Sequence, residues 1–139
     1  MRTKLPWLIL LLGAGLLASC TMVPPGDFNV SVQTKTMAHP YFGIGDSLGY
    51  VVDGIQGEEL TLTRGMTYTF AVTAPGHPFY ISTDSAGGSG APGEVTVGVT
   101  GSRVDVGTLT FTPDGSHVTP LYYQCTVHSN MGYRINIID

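Results

Sequence analysis

The 139-residue chain has little charge, and positive charge is the scarcer kind. Past the first few residues only Lys35, Arg64, Arg103 and Arg134 are basic, against ten acids, so residues 20–139 carry a formal −6. That balance excludes a nucleic-acid binder, whose affinity rests on neutralising phosphates. No paired carboxylates and no Ser-His-Asp arrangement are visible, so hydrolytic catalysis has no support. Helical periodicity is missing beyond residue 19, which excludes a helix bundle. The one glycine-rich stretch, DSAGGSGAPG at 84–93, lacks the strand-to-helix setting and the lysine of a phosphate-binding loop, and reads as a mobile connection. Cysteine is nearly absent too, with only Cys20 and Cys125.

Arg2 and Lys4 precede an apolar run, PWLILLLGAGLLAS, too short to span a bilayer comfortably and followed at once by small residues. This pattern predicts a secretion signal. Its ending, Leu17-Ala18-Ser19-Cys20, resembles the bacterial lipobox, which implies cleavage before Cys20 and acylation of that cysteine. Residues 1–19 are then a signal peptide, 20–26 (CTMVPPG) a membrane tether stiffened by Pro24-Pro25, and 27–139 a single domain. Thr21 is not the aspartate that retains such proteins at the inner membrane, so the expectation is the periplasmic side of the outer membrane. With Cys20 acylated, no intrachain disulfide is possible. Cys125 becomes a lone thiol in an oxidising compartment and needs burial or coordination to protect it.

The remainder is strand-like. FNVSVQT, GYVVDG, ELTLTRGMTYTFAVTA, HPFYIST, EVTVGVT, RVDVGTLTFTP, PLYYQCTV and GYRINIID are rich in Val, Ile, Thr, Tyr and Phe and are separated by Gly, Pro, Asp and Ser. About eight short strands in 120 residues predict an all-β, two-sheet β-sandwich. Period-two alternation places Leu60, Leu62, Tyr68, Phe70 and Val72 on a buried face, with Arg64-Gly65 turning between the two runs. Val104, Val106, Leu109 and Phe111 change phase around Gly107, the signature of a bulge. In Leu121-Tyr122-Tyr123-Gln124-Cys125 the inward set is Leu121, Tyr123 and Cys125. The cysteine thus ends a strand pointing into the sandwich.

Cys125, His128 and Met131 follow one another at three-residue spacing in CTVHSNM. A thiolate, an imidazole and a thioether suit a soft-accepting metal, and copper fits best; zinc has little use for the methionine, and calcium, magnesium and manganese want carboxylates. A second imidazole is needed, from AHPYF at His39 or GHPFY at His77. If successive strands alternate in direction, the start of HPFYIST and the end of PLYYQCTV share a pole, which favours His77. His39 and His117 read as exposed or satisfied loop histidines, and His117 falls at the opposite pole. The tyrosines read as sandwich residues.

A histidine opening a strand, followed 48 positions later by C-x-x-H-x-x-M closing the penultimate strand, resembles the cupredoxins, the small blue copper proteins. The likeness runs from about Gly49 to Asp139. It implies a Greek-key sandwich and one type 1 copper held by His77, Cys125 and His128 in the plane, with Met131 axial. It further implies an electron carrier rather than an enzyme, a monomer whose partners are periplasmic redox proteins such as cytochromes with basic faces. Copper storage or delivery, and a structural sandwich with a vestigial site, are the alternative readings. Two departures stand out. Pro78 follows His77 where many cupredoxins have an asparagine that ties two ligand loops together, and Gln124 stands where plastocyanin-like members have a tyrosine. The segment before Gly49, with His39, has no counterpart and is expected to be an added edge strand or a cover.

Overall fold

Residues 27–139 are described by a computed structural model; the expected signal peptide, the tether and Cys20 lie outside the described residues. Among the described residues the strand-forming runs become ten strands and no helix: β1 (Phe28–Thr34), β2 (Leu48–Val52), β3 (Ile55–Gln56), β4 (Leu60–Thr63), β5 (Tyr68–Thr73), β6 (Phe79–Ser82), β7 (Val99–Thr100), β8 (Val106–Phe111), β9 (Leu121–Cys125) and β10 (Tyr133–Ile138). β3 and β7 are two residues each, so the eight longer strands match the expected number. One sheet has the order β3-β2-β1-β5-β8-β7 and the other β4-β10-β9-β6.

Alternation decides which side chains fill the space between the sheets. Leu60, Leu62, Phe70, Val72, Leu109, Phe111, Leu121, Tyr123 and Cys125 are buried together with Tyr50, Phe79, Ile81, Met131 and Ile135. The phase change at Gly107 also appears: Val104 packs against this core while Val106 points to solvent. Each large apolar side chain removed from water contributes roughly 1.5–3 kcal/mol. Slipping β9 by one residue would turn Leu121, Tyr123 and Cys125 out together, so the core fixes the register in which Cys125 pairs with Phe79.

Two expectations need correction. In EVTVGVT only Val99 and Thr100 form a strand; Glu94 makes one isolated antiparallel bridge to Ser82 of β6, and a turn closed by the Val99 N–H on the Thr96 carbonyl interrupts the run and leaves Val97 in solvent. The N-terminal segment does not form an edge either. β1 lies inside the six-stranded sheet, antiparallel to β2 and parallel to β5, with Phe28 opposite Phe70 and Val30 opposite Val72. Its apolar alternation, Phe28, Val30 and Val32, explains the position, since these residues pack on the core.

Candidate metal centre

β6 pairs antiparallel with β9, Phe79 opposite Cys125, so the residue two before Phe79 stands beside the end of β9. That residue is His77. Strand parity therefore selects the histidine that the fold brings to Cys125, although through direct pairing of β6 with β9 rather than through a strand at EVTVGVT. After Cys125 the chain turns tightly: the Val127 N–H points at the Cys125 Sγ at 3.4 Å, and the turn brings the His128 Nδ1 to 3.7 Å from that sulfur. One nitrogen each from His77 and His128 and the sulfur of Cys125 lie within 4.8 Å of one another. The two imidazole rings face each other at 4.8 Å between centroids, inclined by 45°.

Cys125 is fully buried and both histidines are half-buried. The His77 Nδ1 is shielded from solvent and has no hydrogen-bond partner among the described residues. Leaving a buried polar nitrogen unpaired costs about 1–3 kcal/mol, which an ion bound there would offset. Burial holds the His77 pKa below its ordinary value, the neighbouring His128 lowers it further, and Asp46 pulls the other way. A neutral His77 has a free lone pair, the form a metal needs. The chemistry of the group fits a soft or borderline transition metal. Met131, outside this trio, is fully buried in the same core cluster as Cys125.

His39 is not brought to this group. It is buried, at 2 % exposure, behind the ligand loop. The Tyr41 N–H donates to its Nδ1 at 3.0 Å, which places the ring proton on Nε2, and that nitrogen donates to the Met131 carbonyl at 3.0 Å. His117 is buried as well, with its Nδ1 accepting from the Asp114 N–H at 2.9 Å and its Nε2 beside the Val97 carbonyl at 2.8 Å. It precedes β9 and so sits at the end of that strand away from Cys125, as parity predicts. Both histidines are satisfied, and neither is exposed.

Burial sets a pH dependence. Desolvation lowers the folded-state pKa of His39 and His77, so the unfolded chain takes up protons first as pH falls. Stability from these two groups is fully present above the ordinary histidine value near 6.5 and declines below it. The urea midpoint of the metal-free protein should fall between pH 7.5 and 5.5, and His39→Gln should flatten part of that slope. An unchanged midpoint would contradict the burial of both rings.

Several positioning groups had no signal in the sequence. Tyr50 ties together the segments bearing two expected ligands: its N–H donates to the Met131 carbonyl at 2.7 Å and its hydroxyl to the His77 carbonyl at 2.8 Å. Burial raises the pKa of that hydroxyl well above its ordinary value, with Cys125 adding to the effect, so it remains a donor. This bridge links the backbone of the His77 turn to that of Met131 through one residue. Tyr50→Phe is expected to lower stability by about 1 kcal/mol in urea unfolding, the net worth of one buried hydrogen bond. No change would mean the bridge is idle. The Asp46 N–H adds a further tie, to the Ser129 carbonyl at 3.0 Å.

Gln124 is fully buried, since the 84–93 segment covers its face of β9. Its side-chain Oε1 accepts from the Gly132 N–H at 2.9 Å and its Nε2 donates to the Ser85 carbonyl at 2.8 Å. The glycine-rich segment is thus not the free connection expected. The Gly88 N–H meets the Cys125 carbonyl at 2.8 Å, the Asn130 N–H meets the Ala86 carbonyl at 2.7 Å, and the Asp84 carboxylate accepts from the Ala86 and Gly87 N–H groups. Small residues let this backbone lie directly on the ligand loop.

No protein-family model, curated protein or solved structure matches the chain. An all-β sandwich of two sheets with a His/Cys/His group at one pole is compatible with the cupredoxin fold that the sequence resembles, and the group could hold a metal ion.

Proposed function

We propose that this protein is an exported, lipid-anchored blue copper protein that carries single electrons. The convergence of one buried thiol and two imidazoles, one with an unpartnered buried nitrogen, carries the reading. Copper would supply one-electron exchange between its +1 and +2 states. Cys125, His77 and His128 would hold it, and Met131, buried in the same core cluster as Cys125, would be a weak fourth donor. Tyr50, Gln124 and the Asp46 backbone tie down the main chain around these residues before any ion arrives, so a change of oxidation state would need little rearrangement of the chain.

Four donors from the chain leave no position for a substrate, which argues for a carrier and against an enzyme. Gln124 is committed to two hydrogen bonds and offers no aromatic route, so the half-exposed His128 is the electron port. The formal −6 of residues 20–139 suits partners with basic faces, such as periplasmic cytochromes. The expectation of an anchor rests on Cys20 and its lipobox-like surroundings.

Titration with Cu(II) should produce an intense visible thiolate-to-copper band that saturates at one equivalent and bleaches reversibly with one electron. No band would overturn the copper reading. A band without a reversible couple, with the ion passing readily to an acceptor, would redirect it to copper storage or delivery.

A further inference from the structure

We propose that His39, excluded as a ligand, is a positioning residue for the metal centre: its Nε2–H on the Met131 carbonyl fixes where the Met131 thioether stands, and so tunes the reduction potential and colour of the bound metal. This rests on the copper reading above and deepens it.

The Met131 carbonyl receives two donors from different parts of the chain, the Tyr50 N–H of β2 at 2.7 Å and the His39 Nε2 at 3.0 Å. Two bonds converging on one oxygen fix the direction of the peptide as well as its distance. Because the Met131 side chain is packed in the core, its sulfur follows the backbone that carries it. A thioether is a weak donor whose separation from the metal is set by the protein, and small displacements of it change the potential.

The His39 ring is itself held tightly. The Tyr41 N–H specifies the tautomer. Glycines flank the ring on two sides: a Cβ at Gly49 would stand 2.6 Å from the ring's Cδ2, and one at Gly57 3.0 Å from Nε2. The turn carrying His39 is laced by the Lys35 ammonium, which donates to the Ile44 carbonyl at 2.7 Å and the Tyr41 carbonyl at 3.3 Å. A segment without counterpart in the family resemblance therefore reaches the expected fourth donor through one imidazole.

Two amide variants separate positioning from simple support of the turn. In His39→Gln the amide nitrogen occupies the place of Nε2 and keeps the donor to Met131. In His39→Asn the amide oxygen occupies the place of Nδ1 and keeps the acceptor for Tyr41, but the donor to Met131 is lost. The copper-loaded full chain is read by midpoint potential and by the intensity ratio of its visible bands, and the metal-free chain by amide exchange at Tyr50 and Gly132. Expected is a shifted potential, an altered band ratio and faster exchange in His39→Asn, with values near those of the unsubstituted protein in His39→Gln. Equal potentials and band ratios in all three proteins, or rescue by Asn rather than Gln, would overturn the role of His39 while the copper reading stands. Absence of the band from the unsubstituted protein would instead overturn the copper reading, and with it any role for His39 in tuning.

Discussion

Replacing Cys125 with serine is expected to abolish the visible band on adding Cu(II) and to weaken copper binding by more than the about 10–100-fold typical of losing an outer-shell partner. A hydroxyl is not ionised at neutral pH, so the variant loses both the anionic donor and the soft sulfur orbital from which the absorption arises. The fold should survive. Serine is smaller than cysteine, and the Val127 N–H that points at the sulfur at 3.4 Å is in place to donate to the new oxygen. Urea unfolding and a copper titration on the same preparation separate the two effects. A band that persists in Cys125→Ser would show that the absorption arises elsewhere and would end the proposal.

The second large effect is expected at Gly132, which lies between Met131 and β10. A Cβ there would collide with the carbonyl oxygen of Tyr123 and stand 2.8 Å from the Tyr123 ring. The obstacle is backbone of the neighbouring strand, fixed by the pairing of Tyr133 with Tyr123, and cannot rotate aside. Gly132→Ala should therefore cost more than the about 1–3 kcal/mol usual for overpacking. The same residue donates its N–H to Gln124, so displacement here also shifts Met131 and should depress copper affinity. Gly115→Ala is the control, since nothing lies within 4 Å of a Cβ built at that position. Similar urea midpoints for the two variants would mean that the approach of residue 132 to Tyr123 is looser than described.

What could be read in advance divides along a physical line. Period-two alternation reports whether a side chain meets the core or solvent, and it located the inward faces of β4, β5 and β9 without any knowledge of neighbours. The spacing of Cys125 and His128 is equally local, since a tight turn suffices to bring the imidazole to the sulfur. His77 needed one topological assumption, and the pairing of β6 with β9 supports its outcome. Tyr50, Gln124 and His39 gave no such signal. Each acts by a hydrogen bond to a backbone group far along the chain, and nothing in the alternation of LGYVV or LYYQC marks a residue for that task. The glycine-rich segment misled for a related reason: composition records its freedom as an isolated peptide, whereas its bonds to Cys125 and Asn130 arise only when β9 is in place.

The parallel pairing of β1 with β5 also gives the domain an orientation. β5 runs toward the His77 turn, so β1 does too, and the chain enters the sandwich at the far end, beside Thr69. Seven strand residues at about 3.3 Å each put that entry on the order of 20 Å from the pole carrying the histidines. Any attachment upstream of Asp27 would hold the domain by its base, at the end of β1 away from His77 and His128. If the proposed anchor and electron carriage hold, exchange partners would arrive from the open solvent side rather than by lateral diffusion along the anchoring surface.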